Sequence, residues 1–140
     1  MKKVVVDASV AVKWFVPEIH SEAAARILDA DLAVYAPDLI GPEFGNILWK
    51  KLRREEIGGE EAGEIMSAFA RLPLEIRPSS LLLSAAFELA VQLDRTVYDS
   101  LYLALAVAEE CALITADARF HASVTASVFT KHVQWVEDEI

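Results

Sequence analysis

Apolar positions do not alternate at the start of the chain. Val4, Val5 and Val6 run consecutively into Asp7, as in a strand covered on both faces of a parallel sheet. From there the pattern changes to a helical period over 8–15, and Pro17 ends it. A helix over 22–31 follows, with Ser21 as its predicted N-cap and Ala24, Ile27 and Leu28 as its apolar stripe. A short strand is predicted over 32–36. The next helix starts at Asp38 or Gly41 and runs to about residue 55, carrying Phe44, Ile47, Leu48 and Leu52 inward. If Gly41 caps it, Pro42 takes the favoured first position. Gly58 and Gly59 break that helix, and another runs over 60–71. A strand over 74–76 leads to Ser79 or Ser80, either of which caps a helix reaching Leu93. Residues 100–110 form the most apolar helix, apolar nearly all the way round and so predicted to be buried, with Asp99 at its start. Strands over 112–115 and 133–136 flank a helix over 118–124. Strands alternating with helices predict an α/β fold, a three-layer α/β/α sandwich with a mainly parallel central sheet.

Composition narrows this picture. The 140 residues suit one domain spanning 1–140. Hydrophobic residues make up 54%, so a packed core is expected rather than disorder. No apolar run reaches the length of a membrane span, and the start shows no signal-peptide pattern. The one cysteine, Cys111, cannot form an internal disulfide, which makes the cytoplasm the expected location. The net charge of −9 argues against a broad basic surface for nucleic acid. It leaves nucleic-acid chemistry open, because acids that hold divalent cations would account for part of it.

Four acids stand where such chemistry would sit. Asp7 and Asp117 each follow an apolar strand, and Glu43 and Asp99 each open a helix. Singly, each has an ordinary explanation: a helix cap or a favourable charge at a helix start. In a right-handed parallel sheet, however, strand ends and helix starts share one edge, which is where ligands bind. Four converging carboxylates repel one another unless a cation joins them. Hard cations such as Mg²⁺ or Mn²⁺ prefer oxygen ligands. His20, His121 and His132 show no metal-ligand spacing, so zinc is not expected. Ser9, Asn46 and Thr115 lie close enough in sequence to support the acids.

These segments resemble a known family. The pieces are 5–9 (Val-Val-Asp-Ala-Ser), 42–46 (Pro-Glu-Phe-Gly-Asn), 98–106 (Tyr-Asp-Ser-Leu-Tyr-Leu-Ala-Leu-Ala) and 113–117 (Leu-Ile-Thr-Ala-Asp). In order and spacing they are similar to a PIN domain, specifically a VapC-type toxin ribonuclease, over nearly the whole chain. The resemblance implies that Asp7, Glu43, Asp99 and Asp117 are the catalytic acids binding Mg²⁺ or Mn²⁺, with Ser9, Asn46 and Thr115 supporting them. It implies metal-dependent hydrolysis of RNA, an antitoxin partner and a homodimer. Trp14, Phe15 and Trp49 are surplus apolar residues that could serve core or interface.

RNA also needs cations on the protein. Lys13, Lys50, Arg95 and Arg119 lie near the acids in sequence, with Lys51, Arg53 and Arg54 following on the helix of Glu43. A solvated face is the commoner meaning of such a run. Two other readings compete. A non-catalytic RNA- or protein-binding module could use the same fold. An aspartyl-phosphate enzyme also places an acid after its first strand, but a phosphatase of the haloacid-dehalogenase kind wants a second acid where Ser9 stands.

Overall fold

In the computed structural model, which describes residues 1–140, β1 (Lys2–Val6) lies in the middle of a five-stranded sheet. The other strands are β2 (Leu32–Pro37), β3 (Glu75–Arg77), β4 (Ala112–Thr115) and β5 (Val133–Trp135). Their order is β3-β2-β1-β4-β5, and every pair is parallel. The helices are α1 (Ala8–Ala11), α2 (Ser21–Asp29), α3 (Ile40–Arg53), α4 (Gly59–Ala70), α5 (Leu83–Leu93), α6 (Val97–Ala108) and α7 (Ala118–Thr125). Right-handed crossovers put α1 to α4 on one face and α5 to α7 on the other, giving the α/β/α sandwich.

The core follows from the apolar runs. Val4, Val5 and Val6 are sealed between the two helical layers. Each such side chain contributes about 1.5–3 kcal/mol by leaving water. From Ser100 to Ala106 every residue of α6 is buried, because that helix packs against β1, β2 and β4 and is covered in turn by α5. On the opposite face Phe44 stacks on Phe69, ring centroids 4.1 Å apart, and meets Phe15 edge-on at 5.7 Å. Trp14 packs against this core and donates from its indole nitrogen to the Ala24 carbonyl. Trp14 and Phe15 thus serve the core, whereas Trp49 is half exposed.

Several helix starts differ from the sequence expectation. α2 begins at Ser21, after a left-handed His20 (φ 67°), so Ser21 is not its N-cap. Its hydroxyl instead accepts from the Glu18 amide and braces the preceding turn. α3 begins at Ile40, which puts Gly41 and Pro42 inside the first turn, where a missing N–H costs nothing. Asp38 neither starts nor caps α3. Its carboxylate accepts from the amide and hydroxyl of Ser79 and ties β2 to a 3₁₀ turn, Ser79–Leu81, so α5 starts only at Leu83. α6 begins three residues earlier than expected. Thr96 is its N-cap, accepting from the Asp99 amide at 3.0 Å, and Asp99 is the third helical residue. A Thr with an acid three positions on is a capping-box spacing. No helix is long and apolar enough to cross a membrane.

The connections diverge at β1. The chain leaves it toward β2 and β3, then returns to place β4 on its other side. A crevice opens at the carboxyl ends of strands where such a reversal occurs. The register pairs Val6 with Ile114, so Asp7 and Thr115 stand level at that crevice.

Candidate metal and active site

Asp7 is fastened from three sides. Its Oδ1 accepts from the Ser9 hydroxyl at 2.5 Å and from the Val10 amide at 3.2 Å, and its Oδ2 accepts from the Thr115 hydroxyl at 2.5 Å. Ser9 and Thr115 also couple the two strand ends. Ser9 accepts from the Ala116 amide, and Thr115 accepts from the Asp117 amide. Burial pushes the Asp7 carboxyl up to about 6, against the pull of those hydrogen bonds, and nearby Asp117 adds to the rise. An acid so well bonded yet hard to ionise has too little positive charge around it.

The other three acids are linked to Asp7 and to one another by charge. Burial raises the Asp99 carboxyl, Arg95 opposes that rise, and the charge of Asp117 reinforces it. Burial also raises Glu43, with a further contribution from Asp99. Asp117 is more open than Asp7 or Asp99 and caps α7 by accepting from the amides of Arg119 and Phe120 at 3.1 Å. Mutual influence runs from Asp7 to Asp117, from Asp117 to Asp99, and from Asp99 to Glu43. The four form one electrostatic cluster.

Two residues engage the oxygens of these acids. The Arg95 Nη2 lies 2.9 Å from Asp99 Oδ2 and 4.0 Å from Asp117 Oδ2. The Tyr102 hydroxyl donates to Glu43 Oε1 at 2.5 Å. Burial and the neighbouring Glu43 carboxylate push the Tyr102 phenol far up, so it stays a donor. Sequence reasoning had Tyr102 only as part of the buried helix. Its signal was the three-residue step from Asp99, which puts both on one helix face. No three of the acids are gathered closely enough to enclose an ion. The donor set itself is hard oxygen with excess negative charge and a single intruding cation, which fits Mg²⁺ or Mn²⁺.

The remaining expected residues divide. Asn46 is exposed on α3 and bonds to none of the acids. Lys13 is enclosed: its Nζ pairs with Glu18 Oε1 at 2.9 Å and its side chain is 8% exposed, so it cannot serve phosphate as expected. Glu18 also engages Lys51 at 3.1 Å, so one carboxylate occupies both lysines. Arg95 points inward at the acids. Lys50 and Arg119 are exposed and pair with no carboxylate.

Known proteins share this arrangement of chain. The family model for the PIN domain matches residues 4–123. Ribonuclease VapC3 of Pyrobaculum aerophilum is 35% identical over 117 residues, covering 82% of this chain and 89% of that protein. The crystal structure of PAE2754 from Pyrobaculum aerophilum superposes with a TM-score of 0.71 at 24% identity, over 97% of this chain and 85% of that one. A toxin–antitoxin complex from Klebsiella pneumoniae contains a chain that superposes with a TM-score of 0.63 at 15% identity, over 98% of this chain and 99% of that one.

Proposed function

The chain belongs to the PIN domain family, and from that premise we propose that it is a VapC-type endoribonuclease, hydrolysing RNA phosphodiester bonds with Mg²⁺ or Mn²⁺ as the toxin of a toxin–antitoxin pair in the cytoplasm. The observation that carries this reading is the clustering of Asp7, Glu43, Asp99 and Asp117 at the β1/β4 crevice, with Asp7 buried and starved of positive charge. The name of the Pyrobaculum relative, a ribonuclease, supports it.

Asp7, Asp99 and Asp117 would hold the ion, with Glu43 beside it facing the water, and the ion when bound makes water more acidic and stabilises charge on a phosphate. Ser9, Thr115 and the Val10 amide keep the Asp7 carboxylate from rotating away. Glu43 takes the proton of the attacking water on Oε2, since Tyr102 occupies Oε1. Its raised proton affinity suits that task. Arg119, exposed two residues after Asp117, offers an unpaired cation to the substrate phosphate. Incubated with RNA, the purified chain is expected to cut with Mg²⁺ or Mn²⁺ and to stop in EDTA. Undiminished cutting in EDTA, or no heat on calorimetric titration with Mn²⁺, would overturn the reading.

Two partners belong to it. A protein antitoxin is supported by the likeness to the Klebsiella complex, and a cationic side chain from such a partner would complement the acidic crevice. A second copy of the chain is supported by α5. Leu83, Phe87 and Val91 recur every fourth residue on its outer face, 54%, 60% and 70% exposed, and Leu81 extends the stripe. An apolar stripe of this kind pairs with itself across a two-fold axis. Phe87→Glu should convert a dimer to a monomer in light scattering at micromolar concentration. A wild-type chain that is already monomeric there would exclude the dimer.

A further inference from the structure

The chain carries 13 lysines and arginines against 22 acids, and nearly half of those cations are spoken for. Lys3, Lys13, Arg26, Lys51, Arg77 and Arg95 all pair with carboxylates. Of those left unpaired, Lys50, Arg53 and Arg54 fall within five residues at the end of α3. They line a depression of about 320 Å³ together with Trp49. The Trp49 ring is half exposed, and the Arg53 guanidinium lies 5.1 Å from its centroid. Basic residues in a last helical turn favour the helix dipole, which is the ordinary reason for them. That reason does not account for an indole left in water among three free cations.

We infer that this end of α3 is a docking site for single-stranded RNA running out from the acidic crevice, with a base stacked on Trp49 and phosphates against Lys50, Arg53 and Arg54. The inference rests on the nuclease reading for its substrate, and it adds where the strand lies. Glu43 and Lys50 are seven residues apart, two helical turns, so they share a face about 10 Å apart along the axis. An extended strand covers that distance in a few nucleotides. Flat aromatic rings accept any base, and nearby guanidinium groups reinforce the stacking. The depression is open and cationic rather than apolar, which favours a polyanion over a second copy of a chain with net charge −9.

The test uses a fluorescein-labelled uridine octanucleotide in EDTA, followed by anisotropy, beside hydrolysis of bis(p-nitrophenyl) phosphate with Mn²⁺. The ester is too small to reach Trp49. Trp49→Ala is expected to weaken the octanucleotide about tenfold, while Trp49→Phe keeps most of the affinity. Lys50→Ala and Arg53→Ala should each flatten the salt dependence by about 0.7 in log–log slope. Ester hydrolysis should match the wild type in all four variants. Unchanged octanucleotide binding and salt slope in every variant, with ester hydrolysis intact, would overturn the docking site and leave the nuclease reading standing. The expected losses in binding without any metal-dependent hydrolysis would do the reverse. If Trp49→Ala leaves RNA binding alone and changes the oligomeric state, the surface belongs to a second copy and the inference falls.

Discussion

Replacing Asp7 with asparagine should stabilise the metal-free protein while it abolishes cleavage. In the unfolded chain the carboxyl titrates near its ordinary 3.8, and in the fold at about 6. Between those values the native state keeps a proton that the unfolded state has shed. Stability therefore falls as pH rises through that window. The loss is roughly 3 kcal/mol, at about 1.36 kcal/mol per pH unit. Asparagine avoids it. It keeps an acceptor for Ser9 and the Val10 amide, and asparagine caps helices as well as aspartate does. Its NH₂ would meet Thr115 Oγ1, which can accept instead of donate. At neutral pH without metal, Asp7→Asn should melt several degrees higher than the wild type. It should also lose the thermal shift that Mn²⁺ gives the wild type, and cleavage should fall about 10³-fold or more, the scale set by removing a charge at the reacting centre. A variant that melts lower than the wild type in EDTA would make the Asp7 carboxylate a structural anion.

That reversal of the usual stability argument was partly legible in the sequence. Three valines before an acid already place Asp7 at a buried strand end, and the same pattern before Asp117 places the second acid. What holds Asp7 was half legible. Ser9 is two residues away, but Thr115 is 108 residues away and reaches Asp7 only because β1 and β4 are neighbours in register. Periodicity gives the phase of each element and not the register between elements, so pairings across the sheet stayed hidden. The same limit explains Lys13. Its nearness to Asp7 in sequence suggested phosphate, but the turn after α1 brings Glu18 onto it. It explains Tyr102, whose partner Glu43 lies 59 residues back on another helix. Asp99 is a different case. Thr96 was the better cap, and its three-residue spacing to an acid was visible. The exposed faces of α3 and α5 were also ambiguous. An apolar residue looks alike whether a neighbour covers it or not, and only packing separates Trp14 from Trp49.

Arg95→Gln should bind Mn²⁺ roughly thirtyfold more tightly than the wild type and be less stable in EDTA. The guanidinium reaches Asp99 Oδ2 and Asp117 Oδ2, and it sits 5.6 Å from the Phe120 ring centroid. Its Nε is buried with no hydrogen-bond partner, so the acids are its only polar anchors. Without it, Asp99 and Asp117 face each other with no cation between them, which costs about 1 kcal/mol for a partly exposed pair. On the proposed reading, an arriving divalent ion would need those same oxygens and would meet the guanidinium charge. Even with water-like screening, a unit charge at about 4 Å opposes a doubly charged ion by about 2 kcal/mol, twice the single-charge value. That is the source of the thirtyfold. Calorimetric titration with Mn²⁺ reads the affinity, and thermal melts in EDTA and in Mn²⁺ read the stability. Weaker Mn²⁺ binding in Arg95→Gln would mean that Arg95 builds the ion's site instead of competing for it. Arg95→Lys separates the two halves of the argument, because an ammonium keeps the charge but not the directed N–H that Nη2 gives to Asp99. Wild-type Mn²⁺ affinity in that variant would assign the competition to charge alone. Affinity as high as that of Arg95→Gln would assign it to the hydrogen bond that ties up Asp99.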